Sequence, residues 1–352
     1  MLSTVTTVLV TVVLCFLGLF LLLKFGVRYF FTRHLKTMVA AMQSAAGEQP
    51  IAARITMELD KVQFADPLTK KTMAEFKALG YQSAGRYLIP EMPAMQVWAG
   101  THPEDGSLAL VMEVREMCVA FDVIRFYENG NVLGSGTHPF YRPEHYPAHI
   151  KYKQYPLGTP AATAVEWLRN RPLEAPIIAA THENLRTLNT MLYIETMDYK
   201  LGLPVPSFEV FKTNTLQDFA SIGKTAPELT SAQWRTAYEQ HRNSLNNALD
   251  EALKDHLLKS GDVSARQWDE VQYDLTFIHE RLMDEDIATR ALARSEWTPD
   301  EPKVERLMNQ GSAPGKLFES IQSLLAEDER FVLIGSVNKP ISARAYAPAA
   351  RN

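Results

Sequence analysis

The residues with the clearest potential for chemistry lie in one histidine-rich segment, residues 138–149. It holds three histidines and a glutamate, side chains that bind zinc, but prolines at 139, 143 and 147 oppose a helix. His145 and His149 therefore have the spacing of helical ligands without the helix. We interpret the segment as an ordered loop that packs on a sheet or contacts a ligand or partner, with metal coordination as the alternative. The candidate contact residues are His138, Tyr141, Glu144, His145 and His149.

Other catalytic signatures are incomplete. Two His-Glu pairs begin like the zinc-protease motif, but Arg186 and Met283 stand where the second histidine is required. A glycine-rich stretch at 311–316 resembles a phosphate loop, but its glycine spacing is one residue short and Leu317 replaces the magnesium-binding Ser or Thr. Cys118 begins an apolar run, which favours a small core residue over a nucleophile. We therefore expect no catalytic residue, no metal and no cofactor.

Composition excludes several classes of protein. The chain has 352 residues, 46% hydrophobic side chains and two cysteines, which does not fit a disulfide-stapled miniprotein, a collagen or a disordered chain. The net charge of -5 gives no reason to expect a nucleic-acid partner. The length and the apolar content are sufficient for a large core.

The first 23 residues carry no charged side chain, which is typical of a helix that crosses a bilayer. We predict a single transmembrane anchor at 1–26, followed by a juxtamembrane helix and linker at 27–50. A removed signal peptide and a buried helix are the alternatives, although a basic start and a timely cleavage site are missing. Basic residues follow the span and favour a cytoplasmic location for the rest of the chain, on a bacterial inner membrane. The predicted membrane-surface residues are Lys24, Arg28, Arg33 and Lys36.

Residues 51–175 have the pattern of an α+β domain built on an antiparallel β-meander with flanking helices. Asp66 and Pro67 form a helix start, four short β-like runs follow between residues 84 and 127, and Asn129-Gly130 is typical of a hairpin turn. A further helix is predicted over Thr159–Arg169.

Residues 176–336 have a mainly helical pattern, and 337–352 form a predicted mobile tail. One helix is predicted over His182–Tyr199, and an irregular or briefly extended segment follows around Phe208. Apolar spacings of three and four, together with two capping-box starts, predict a long antiparallel helical hairpin over 230–294. A last strand is predicted over Phe331–Ile334.

These patterns favour a noncatalytic, membrane-tethered binding or scaffold module. It would contact the lipid bilayer through its N-terminal helix and recognise a protein partner or a ligand. One alternative is a structural subunit or assembly factor of a membrane complex. The other is an enzyme with a site around the 138–149 loop.

Overall fold

The computed structural model describes residues 51–61, 63–115, 117–261, 264–271, 276–279, 282–295, 320 and 331–334. The predicted anchor, the juxtamembrane segment, the four membrane-surface residues and the tail lie outside these ranges. Among the described helices, none combines the length and the apolar character needed to cross a membrane.

The larger of two sheets contains eight strands, and seven of them lie in sequence order. Each of the first five pairs antiparallel with the next, which confirms a meander, whereas the seventh runs parallel to the sixth and the short eighth pairs with the fifth. The strands are β1 (Glu58–Leu59), β2 (Gln82–Leu88), β3 (Met95–Thr101), β4 (Leu108–Val114), β5 (Cys118–Tyr127), β6 (Val132–Gly136), β7 (Ile150–Gln154) and β8 (Ile177–Ile178).

Both faces of this sheet are buried at the central strands β4, β5 and β6. In β4, Leu108 and Leu110 join the core on one face while Ala109 and Val111 join the core on the other. An antiparallel sheet covered on both faces needs apolar residues at successive positions, and this explains the near-continuous apolar run of β4. The predicted hairpin turn joins β5 to β6, and Gly130 occupies it at φ 84°, a conformation that glycine adopts readily.

Different helices cover the two faces of the sheet. The described helices are α1 (Pro67–Ala78), α2 (Ala161–Arg169), α3 (Leu185–Leu201), α4 (Phe208–Ser221), α5 (Ser231–Ser260), α6 (Ala265–Val271) and α7 (Asp284–Ser295), with a 3-10 turn at Pro143–His145. Helices α1 and α2 cover one face, and α3 packs on the other. The predicted start of α1 is confirmed, because the Asp66 carboxylate accepts a hydrogen bond from the Leu68 amide.

The segment around Phe208 is helical, so the prediction of an irregular or extended segment is wrong. Ser207 caps α4 by accepting a hydrogen bond from the Val210 amide, and Phe211 and Phe219 are buried on one face. Pro206 lies just before the cap, where it does not interrupt the helix.

The predicted long hairpin is half correct. Helix α5 begins with the predicted capping box between Thr230 and Gln233 and runs for 30 residues. The second helix is described over Ala265–Val271, and residues 276–279 form a strand, β9, that pairs parallel with β10 (Phe331–Ile334), the predicted last strand. Adjacent Phe277 and Ile278 are both buried, which suits a strand covered on two faces better than one stripe of a helix.

Helix α3 joins the two halves of the fold. Its first part contributes Leu185 and Leu188 to the core beneath the sheet. Its last part contributes Met197 and Leu201 to a second core with Leu253 of α5. The end of α3 therefore lies beside the sheet and the helical region at once.

Candidate ligand-binding cavity

A cavity of about 580 Å³ lies where the 138–149 loop, the end of α3, α4 and α5 meet. This volume is within the usual range for sites that bind small molecules. Most of its wall is apolar, and the residues that form it include Phe140, Leu201, Val205, Phe211, Leu245 and Leu249. A ligand in this cavity would bury mainly hydrocarbon surface.

Charged side chains also line the cavity. Arg142 forms an ion pair with Asp218 at 2.7 Å and donates a second hydrogen bond to the Asn214 carbonyl oxygen at 3.1 Å. Lys200 lies at the end of α3 and also lines the cavity. Within the part of the chain that the structure describes, the Lys200 side chain forms no hydrogen bond and no ion pair, and Asp218 is the carboxylate that attracts it. The half-buried carboxylate of Asp218 therefore bonds directly to Arg142 and attracts Lys200 only from a longer distance.

Burial controls the protonation of the groups around Lys200. Burial lowers the pKa of Lys200, and the positive charge of Arg142 lowers it further, against the attraction of Asp218. Burial, with a contribution from Lys200, lowers the pKa of His145 and of His241 to about 4. Both imidazoles are therefore neutral near pH 7, and each carries one N–H donor. Burial also raises the pKa of Asp218, although Arg142 and Lys200 oppose that effect.

A cluster of three tyrosine rings packs the 138–149 loop against the sheet. The Tyr141 ring lies 4.8 Å from the Tyr146 ring and 4.7 Å from the Tyr152 ring. The Tyr152 hydroxyl donates a hydrogen bond to the buried carboxylate of Asp122, whose pKa burial raises. Tyr141 thus packs towards the sheet while Phe140 and Arg142, its neighbours in sequence, line the cavity.

Gly136 in β6 leaves space for this tyrosine cluster. A Cβ atom at Gly136 would lie 2.1 Å from the Phe121 carbonyl oxygen and 2.6 Å from the Tyr152 hydroxyl. Any larger residue there would displace Tyr152, and with it the inner side of the loop.

The structure places the five predicted contact residues at different sites. Glu144 and His145 line the cavity, and Glu144 is solvent-exposed. Tyr141 packs on the sheet, and His149 Nε2 lies 2.8 Å from a carboxylate oxygen of Glu195. The remaining histidine, His138, accepts a hydrogen bond from the Phe140 amide through Nδ1. Contact of these residues with a ligand remains a prediction.

The loop histidines do not converge. Across the described ranges, no group of three histidine, cysteine or acidic side chains is close enough to hold a metal ion. Cys118 lies half-buried at the start of β5, and burial raises the pKa of its thiol to about 11. Its sulfur is therefore a poor nucleophile at neutral pH.

Sequence reasoning missed most of the polar residues of the cavity. Lys200, Asp218 and His241 come from three different helices, and nothing in their local sequence marks them as neighbours. A weak signal existed for His241, a polar residue on the apolar seam predicted for α5. Comparison with protein-family models, with curated proteins and with solved structures finds no match. The cavity is therefore the basis for the functional argument.

Proposed function

We propose that this chain is a noncatalytic, membrane-tethered binding module and that its cavity holds a small, mainly apolar ligand. The observation that carries the proposal is the cavity itself, because about 580 Å³ of space has largely apolar walls and one polar cluster. The tether rests on the uncharged first 23 residues and on the basic residues that follow them.

The arrangement of the walls specifies the form of the ligand. Leu245 and Leu249 of α5 and Phe211 of α4 favour an aliphatic body, since removing hydrocarbon from water contributes roughly 25 cal/mol per Å². Arg142 and Lys200 favour a polar group on the same molecule. An amphiphile with a single aliphatic chain satisfies both requirements.

Filling the cavity tests this function. The full chain in phosphatidylcholine nanodiscs is titrated with 1-decanol in a calorimeter, and heat from empty nanodiscs is subtracted. Leu245→Trp adds side-chain volume to the cavity and is expected to weaken decanol binding at least tenfold. The matched control is Leu216→Trp on α4, a residue that is 40% exposed and does not line the cavity.

We expect saturable binding of about one decanol per chain in the parent protein and in the control variant. Circular dichroism verifies that each variant is folded. No saturable heat above that of empty nanodiscs would refute the proposed function. The same conclusion follows if folded Leu245→Trp binds decanol as tightly as the parent.

A further inference from the structure

We propose that the ligand of this cavity is an organic anion, namely a single-chain carboxylate, and that Lys200 is its counterion. The inference rests on the proposed function and specifies the ligand class. Binding is accompanied by uptake of one proton at the Lys200 amine when that amine is neutral in the free protein.

The distribution of partners within the cavity supports an anion. Asp218 is already bound to Arg142 at 2.7 Å, so it is not a free counterion for Lys200. Lys200 lines the same cavity and forms no hydrogen bond or ion pair among the described residues, and Asp218 attracts it only from a longer distance. A buried charge without a partner is unfavourable, and a ligand carboxylate would supply the partner.

The other titratable groups around Lys200 come from every element of the cavity wall. The loop contributes Arg142, which is cationic, and His145, whose imidazole is neutral near pH 7. Helix α4 contributes Asp218 and α5 contributes a second neutral imidazole, His241. The last group, Glu144, is solvent-exposed, so water screens its charge. Arg142 and the N–H donors of two neutral imidazoles therefore lie in the cavity beside Lys200, an arrangement that favours a carboxylate over an ammonium, and over an alcohol once the Lys200 amine is protonated.

Proton uptake follows from the same contacts. In the free protein, burial and Arg142 lower the pKa of Lys200 and favour the neutral amine. A carboxylate beside the amine favours the ammonium form again. A buffer acid gives up the proton, so its bond to hydrogen breaks as one N–H bond forms at the amine, and no covalent bond of the ligand changes.

Three ten-carbon probes test the inference on the full chain in phosphatidylcholine nanodiscs. They are decanoate, 1-decanol and decyltrimethylammonium, which share a chain and differ in the charge of the head group. Titration calorimetry gives the affinities after subtraction of empty-disc heats. Repeating the decanoate titration in two buffers of different ionisation enthalpy, from pH 7 to pH 10, gives the number of protons taken up.

We expect decanoate to bind at least tenfold more tightly than decanol and decyltrimethylammonium to bind more weakly than both. Lys200→Met is expected to remove the preference for decanoate over decanol. Proton uptake on decanoate binding is expected in the parent and is expected to be absent in the variant. Lys70→Met, which removes an exposed lysine of α1, is the control and is expected to behave like the parent.

The possible failures are distinguishable. If decanol binds to the cavity but decanoate binds no more tightly, the anion inference is wrong and the proposed function stands. A preference for decanoate that survives in Lys200→Met would also overturn the inference, as would decanoate binding without proton uptake at any pH tested. If neither decanol nor decanoate binds, both the anion inference and the proposed function fail.

Discussion

A lysine in an apolar cavity lowers the stability of a protein unless a counterion compensates for the lost hydration of its ammonium. Lys200 is such a residue, because the half-buried carboxylate of Asp218 in the same cavity forms an ion pair with Arg142. Residues that destabilise a fold in this way are typical of ligand-binding sites. The cost of Lys200 to folding is therefore separable from its contribution to binding.

At the residue scale, we predict that Lys200→Met stabilises the ligand-free protein by about 1 kcal/mol at pH 7. Burial lowers the pKa of Lys200, so between the folded pKa and the ordinary value of 10.5 the unfolded chain binds more protons than the folded one. Stability of the parent therefore rises with pH across that window, and the advantage of the variant shrinks as the pH approaches 10.5. Urea unfolding monitored by circular dichroism at pH 7 and pH 10 measures both effects. A Lys200→Met variant less stable than the parent at pH 7 would show that the lysine stabilises the free protein.

The sequence indicates only part of the cavity at this scale. Glu144 and His145 were predictable as candidates because they lie together in a short segment of unusual composition. Lys200, Asp218 and His241 were not, since only the packing of three helices brings them near one another. Local patterns carry no information about such distant neighbours.

At the scale of elements, the C-terminal part shows how the same apolar spacing fits two structures. Ile278 and Leu282 are four residues apart and both are buried, as a helical seam would require. Phe277 is also buried and stacks on Trp268 at a ring distance of 6.1 Å. Burial of the adjacent residues Phe277 and Ile278 fits a strand, and parallel pairing with Phe331–Ile334 stabilises that strand.

We predict that Phe277→Ala and Ile278→Ala each lower the free energy of unfolding by about 2–5 kcal/mol. In a helix, neighbouring residues point about 100° apart, so one of the two substitutions would be mild. Ile178→Ala is the control, because Ile178 is 36% exposed in β8 and should cost less than about 1 kcal/mol. Urea denaturation of the three variants measures these costs. Phe277→Ala with a cost no greater than that of Ile178→Ala would contradict the strand.

The elements that could be predicted depend on signals within a few residues of the sequence. The Asn129-Gly130 turn and the Thr230 capping box follow from backbone chemistry within a few residues, and both are confirmed. β9 was not predictable, because its partner strand lies far along the chain. α4 was missed because two prolines obscured the cap at Ser207. Local signals identify starts and turns, whereas tertiary pairing decides between helix and strand.

At the scale of the whole molecule, the cavity forms at the junction of two cores. Helix α3 contributes Leu188 to the core beneath the sheet and Leu201 to the core of the helical region. Arg142 of the loop joins the same junction to α4 through Asp218. Ligand binding there would therefore stabilise the contact between both halves of the fold.

The most direct test of the ligand site is a crystal structure of the full chain grown with 10-bromodecanoate. Bromine marks the end of the aliphatic chain through its anomalous scattering, and the carboxylate marks the other end. We predict one bromine peak in the cavity near Leu245 and Leu249, with the carboxylate within hydrogen-bond distance of Lys200 Nζ. A crystal saturated with the ligand that shows no bromine in this cavity would contradict the account.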